Sequence, residues 1–336
     1  MKRLFKKSET YLLLVILAIS GMITVVNPSF FSLENMFDLL KSNAFIGILA
    51  VGLLVVLISG GIDISFAAVA TVAEYLTTLA VIRWTGSILT AFLIAALIGI
   101  VLGLCNALLI YRFKIPTVIA TIATMNVFYG ILIMATGGKW IYALPEVFAS
   151  FADIRLFTLV GENGSHYGLS IITVIWIGVI LLTAFILRYT ITGRGIYAMG
   201  GCGADLGPAE RAGFNVFRIH LFIYAYMGFL AGVAGVVQAL LVQTVAPNSI
   251  VGKELNVIAA VILGGAGIAG GTGSVTGTVL GVALLAILGN GLTLMRIPSY
   301  WYEILIGGVI LLSVILNALQ ARGKNSKVIE IEESVA

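Results

Sequence analysis

The chain has 336 residues, 60% of them hydrophobic and only 10% charged, with a mean hydropathy of +1.12. A soluble domain carries about 25% charged residues and could not hide this much apolar surface, so the class is an all-α polytopic membrane protein. The net charge of +4 does not point to nucleic acid, because the basic residues are divided among segments flanking apolar runs, and Cys105 and Cys202 form no disulfide or metal pattern.

The chain opens MKRLFKK and then runs apolar from about Tyr11 to Val26. No A-x-A cleavage site follows, so this reads as an uncleaved first span entering from the cytoplasm. Asn27-Pro28 ends it. Span 2 is expected over about Ala44–Ile58, and span 3 over about Phe66–Val81, after the break Gly60-Gly61-Ile62-Asp63-Ile64-Ser65. Span 4 covers about Ile88–Ile110 and span 5 about Thr117–Ala135, joined through Lys114-Ile115-Pro116. A polar loop, Thr136–Tyr167, precedes span 6, about Gly168–Leu187. The polar stretch Arg188–Arg218 then leads to span 7, about Leu221–Val242. Span 8 is short, about Leu255–Leu263, and runs into Gly264-Gly265; span 9 covers about Val275–Leu292 and span 10 about Tyr300–Leu316.

This pattern predicts about ten transmembrane helices in one transmembrane domain, residues 1–336, with both ends in the cytoplasm. Lys2, Arg3, Lys6, Lys7, Arg112, Lys114, Arg188, Arg194, Arg211, Arg218, Arg322, Lys324 and Lys327 then fall inside. Lys41, Arg83, Lys139, Arg155, Lys253 and Arg296 fall outside, a bias that obeys the positive-inside rule. The expected location is a membrane, in contact with lipid. The glycine-rich segment Gly264–Ser274 echoes the break after span 2. With five spans per half a repeat would be inverted, so two breaks on one side do not pair under that symmetry.

Asp63 is ionisable at membrane level, where such groups face protein or water rather than lipid. It either caps span 3 or, with Ser65, lines a pathway. Glu74 follows about 16 Å further along the helix. It is a candidate for solute contact or a proton relay, or a neutral carboxyl bonded in the bundle interior. Asn106, Asn126 and Tyr129 add polar groups, each of them interhelical glue or a pathway contact. The glycines of Gly264–Ser274 read as tight packing and a sharp turn; no G-x-x-x-x-G-K-[ST] occurs, so no ATP-hydrolysing motif is present. His166 and His220 belong to no catalytic or metal-binding spacing, so the chain does not read as an enzyme and needs no cofactor of its own. Trp140 and Tyr142 in the 136–167 loop are interfacial anchors or part of an outer docking surface.

Several motifs together resemble one family. They are SGGIDIS (Ser59–Ser65), KIP (Lys114–Pro116), TGGKWI (Thr136–Ile141), GRGIYAMGG (Gly193–Gly201), ILGGAGIAGGTGSVTGTVLG (Ile262–Gly281) and RIPSYWYEILIGGVIL (Arg296–Leu311). In this order they are similar to the permease subunits of bacterial sugar ABC importers, the ribose, rhamnose and autoinducer-2 group. TGGKWI and RIPSYW look most like the autoinducer-2 permeases.

The resemblance implies inward transport of a small polar, sugar-like solute. It also implies cytoplasmic ATPase subunits that hydrolyse ATP, a second permease, identical or sister, and an extracytoplasmic solute-binding protein. It implies a coupling helix in the cytoplasmic loop 188–218, over Ala209, Glu210, Arg211, Ala212, Gly213, Phe214 and Asn215. Pro208, Glu210 and Arg211 depart from the family's common pattern there. Pro208 suits a helix start and Gly213 its end. The rival readings are a branched-chain amino acid or nucleoside permease of the same machine, an ion-coupled carrier using Asp63 and Glu74, and a membrane scaffold.

Overall fold

Hydroxyl and amide side chains in the loops start the helices. The computed structural model describes residues 7–84, 86–161, 164, 166–203, 206–298, 300–308 and 311. Within them the helices are α1 (Lys7–Val26), α2 (Leu33–Ser42), α3 (Ala44–Ile58), α4 (Phe66–Trp84), α5 (Ile88–Phe113), α6 (Thr117–Thr136) and α7 (Glu146–Ala152). There follow α8 (Ile171–Tyr189), α9 (Ile191–Gly201), α10 (Gly207–Arg211), α11 (Val216–Val242), α12 (Glu254–Leu263) and α13 (Val275–Leu294). Ser87, Ser170, Thr190, Asn215 and Ser274 cap α5, α8, α9, α11 and α13, each accepting from a first-turn amide that would otherwise lack a partner.

Among the described residues, 7 helices are long and apolar enough to cross a membrane. The pair α2 and α3, bent by 51° at Asn43, has together the length and apolarity of a broken span or a re-entrant loop. Residues 300–308 are helical where span 10 is expected, and the rest of that span, apart from residue 311, lies outside the described residues.

α12 differs from the expectation for span 8. With 10 residues it rises about 15 Å, half of a ~30 Å hydrocarbon core. The non-helical leg 243–253 precedes α12, with Val245, Ala246 and Ile250 buried. Such backbone is tolerated at membrane depth only inside protein.

α3 occupies the centre, apolar on every side and buried along nearly its whole length, as such a helix must be. α11 packs against α3, α4 and α5. Its contact with α5 is backbone on backbone. A Cβ on Gly99 would lie 2.0 Å from the Gly228 carbonyl oxygen, and one on Gly232 would lie 2.1 Å from that of Ala95. Gly99-x-x-x-Gly103 faces Gly228-x-x-x-Gly232, the small-residue pairing that brings membrane helices together by van der Waals contact.

The ends of the elements collect on two faces. On one lie the break 59–65, the α5–α6 turn with Lys114, the stretch from Arg188 to Arg218, and the loop 264–274; contacts among these join them. We call this the basic face. On the opposite face the loop 137–170 folds into α7 and a two-stranded hairpin, β1 (Leu159–Val160) with β2 (His166–Tyr167). Buried Phe148 anchors α7. Ile141 pairs in antiparallel fashion with Val245, so the TGGKWI segment clasps the leg 243–253.

Candidate functional site

Near the basic face, α3 stops at Ile58 and the chain runs unwound to Phe66. Two threonines of α6 accept its free amides: Ile62 N–H donates to Thr117 Oγ1 at 3.0 Å and Ile64 N–H to Thr121 Oγ1 at 3.2 Å. Asp63, Ser65 and Asn106 are almost fully buried. Asp63 Oδ1 accepts from the Ser65 amide at 2.8 Å and from Ser65 Oγ at 2.6 Å, closing an Asx turn ahead of α4. Asn106 Nδ2 on α5 donates to Ser65 Oγ at 2.6 Å. Asp63 thus holds the turn that leads into α4, and a three-residue polar chain ties the break to α5. Asn106 Oδ1 has no hydrogen-bond partner among the described residues.

Glu74 belongs to a second node, toward the opposite face. Ser249 on the leg 243–253 donates to its Oε2 at 2.7 Å. Glu74 Oε1 and Thr77 Oγ1 are buried without partners. Tyr129 of α6 brings its hydroxyl close to Thr71 and Glu254 without forming a hydrogen bond of normal geometry. Glu254 Oε2 accepts from the Gly252 amide at 2.7 Å, holding the start of α12. Asn126 joins neither node. It is exposed on the outer side of α6, its Nδ2 donating to the Ile122 carbonyl at 2.8 Å. Ser249, Glu254, Thr117 and Thr121 are not singled out by sequence reasoning. The threonines' only sequence signal is their spacing along α6, opposite a break that needs acceptors.

The polar stretch on the basic face is ordered around α9 and α10. Pro208 lies in the first turn of α10, and Gly213 beyond its end takes φ +87°. Ala209 is buried, while Glu210, Arg211, Ala212, Gly213 and Asn215 are exposed and Phe214 is partly buried against α9. Asn215 Oδ1 accepts from the Arg218 amide at 3.0 Å, starting α11.

α9 ends in a junction of main chain. A Cβ on Gly200 would lie 1.8 Å from the Ile58 carbonyl oxygen, and one on Gly270 would lie 2.7 Å from Gly60 Cα. The Gly271 amide donates to that same Ile58 carbonyl at 2.8 Å, and Tyr197 Oη donates to the Gly273 carbonyl at 3.0 Å. The glycines of 264–274 therefore give the close packing and turn expected of them. They lock α9 against the break that carries Asp63.

Residues 35–314 match the family described as branched-chain amino acid transport system / permease component. The ribose import permease protein RbsC of Escherichia coli K12 is 30% identical over 321 residues, 94% of this chain and 96% of that protein. The autoinducer 2 import system permease protein LsrC of Enterobacter sp. 638 is 32% identical over 317 residues, 94% of this chain and 88% of that protein. RbsC of Haemophilus influenzae is 32% identical over 315 residues, 93% of each chain. No solved structure matches the chain. With its apolar helices and the family match covering most of its length, this chain belongs to the branched-chain amino acid transport system / permease component family, as a multi-pass protein of the bacterial inner membrane.

Proposed function

We propose that the chain is the membrane-spanning subunit of an ATP-binding-cassette importer for a small, neutral, sugar-like solute. The similarity to RbsC and LsrC over nearly the whole length supports the solute class. The observation that carries the mechanism is the continuous path from an exposed patch to a buried break. Glu210, Arg211, Ala212 and Gly213 form the patch that docks a cytoplasmic ATPase subunit, with Ala209 turned inward and Phe214 and Asn215 joining the patch to α9 and α11. ATP is hydrolysed by that partner, and this chain binds no cofactor. Displacing α10 displaces α9, whose end abuts Ile58 and Gly60, and so moves the break holding Asp63, Ser65 and Asn106. Two packed arrangements of such a junction give alternating access.

The pathway itself runs along α6, shared with a second permease. Asn126 is a polar side chain in mid-span whose amide oxygen would face hydrocarbon in a lone chain; a polar cleft between two copies accommodates it. Glu74 and Tyr129 lie toward the opposite face, where a binding protein delivers solute. The test is Arg211→Glu, together with Gly213→Glu. Arg211 is exposed, so its variant should insert and accumulate as the native chain does, whereas Gly213 sits at φ +87° and its variant is compared at matched amounts of inserted protein. Solute-stimulated ATPase activity of the reconstituted importer should fall by about tenfold or more, the loss of ~1.4 kcal/mol of coupling. Native stimulation at equal yield in both variants would remove α10 from the docking role.

A further inference from the structure

Beside α10 the basic face opens into a cavity of about 760 Å³. Gly60 and Gly61 of the break form one wall, Lys114 and Thr117 of the α5–α6 turn another, and Glu210 of α10 a third. α11 supplies the last wall with His220 and Tyr224, one helical turn apart, their ring centroids 4.9 Å from each other. Tyr224 is 1% exposed, and its hydroxyl lies beside Thr117 without a formed hydrogen bond. Nε2 of His220 is likewise buried without a partner. Buried polar groups left unpaired by the protein are satisfied by whatever fills the space they face. The volume lies within the ~300–1,000 Å³ range of small-molecule sites and far above the ~30 Å³ share of one water.

The lining selects the occupant. A hydroxyl, an imidazole nitrogen and the Thr117 hydroxyl offer hydrogen bonds without a fixed charge. Lys114 and Glu210 carry opposite charges, which favours a neutral guest over an ion. Ile110, Met199 and Val216 give an apolar side suited to the C–H face of a sugar ring. We propose that this cavity is a second solute site, filled from the cytoplasm by the transported class of small neutral polyol, and that filling it inhibits the importer. The site rests on the importer reading above. Its walls belong to α10 and to the break, the two parts that must shift during transport. A guest bridging them favours one arrangement and so slows the cycle.

The test uses the complete importer, with its ATPase and binding protein, in nanodiscs that leave both faces open. ATPase activity is followed against D-ribose, L-rhamnose and D-xylose from micromolar to high millimolar concentration. The expected curve for the accepted sugar rises at low concentration and declines at high concentration. Tyr224→Phe, which removes one oxygen, should leave the rise unchanged and move the decline to ~fivefold higher sugar, the effect of one hydrogen bond. His220→Leu should move it in the same direction. A rise without any decline would overturn the second site while the importer reading stands. A decline unmoved in both variants would also overturn it, placing the inhibition elsewhere. No rise with any of the sugars would reject the sugar-importer reading, and the second site with it.

Discussion

At the scale of single residues, Asp63 shows how a carboxylate at membrane level is kept without a countercharge. Both the amide and the hydroxyl of Ser65 point at one of its oxygens, and Asn106 extends the chain to a neighbouring helix. Asp63→Ala leaves two buried donors unpaired, a loss of about 2 kcal/mol, and should lower the detergent-solubilised melting temperature by about 5 °C. Asp63→Asn keeps an acceptor oxygen and should cost less than half of that. In uptake assays Asp63→Asn should leave the pH profile unchanged. A flattened profile would instead favour the ion-coupled carrier.

Asp63, Ser65, Glu74 and Asn106 were legible in the sequence because polar residues stand out in apolar runs. The partner of Glu74 was not. Ser249 is one hydroxyl in an ordinary loop, and only the fold brings it to Glu74, 175 positions away.

At the scale of elements, hydropathy located most of the described long helices but not every end. α11 begins at Val216, five residues before the apolar run at Leu221, because Asn215 caps it and its first turn reaches out of the apolar layer. The pairing of α5 with α11 was present as two G-x-x-x-G patterns, yet one chain has many glycines and spacing alone does not say which face each other. Geometry separates them. Gly228 meets the Gly99 carbonyl at a distance no side chain tolerates, whereas Gly130 on α6 has nothing near. Gly228→Leu should therefore part α5 from α11 and cut the yield of folded protein severalfold, a penalty of about 3 kcal/mol for overpacking. Gly130→Ala should be neutral. Both are read by fluorescence-detected size exclusion. Equal behaviour of the two variants would contradict the described helix contact.

At the scale of the whole molecule, helix is lost on both faces. The loop 264–274, the glycine-rich echo of the first break, lies on the same face as that break and packs against it. The counterpart at the other end is the leg 243–253. It also interrupts a pair of helices, is partly buried, and is held by a side-chain hydroxyl. It contains a single glycine, Gly252, so a search for glycine clusters misses it. Several helices keep an open side in a single chain, and that of α6 carries Asn126. With Cys105 and Cys202 replaced by serine, Asn126→Cys should give an oxidant-induced cross-linked dimer in membranes. A species that stays monomeric under oxidation would place the partner on another helix.

The meeting of Gly60, Gly200 and Gly270 has a consequence for how such a transporter varies. Main chain touching main chain has no rotamers, so the joint has no backlash: a step at one side arrives undiminished at the other. It also has no intermediate settings. Any side chain at Gly200 breaks the joint outright, and no gentler substitution exists to loosen it by degrees. Gradual tuning of speed or cargo must therefore come from surfaces that bear side chains, with the gearbox itself either whole or lost.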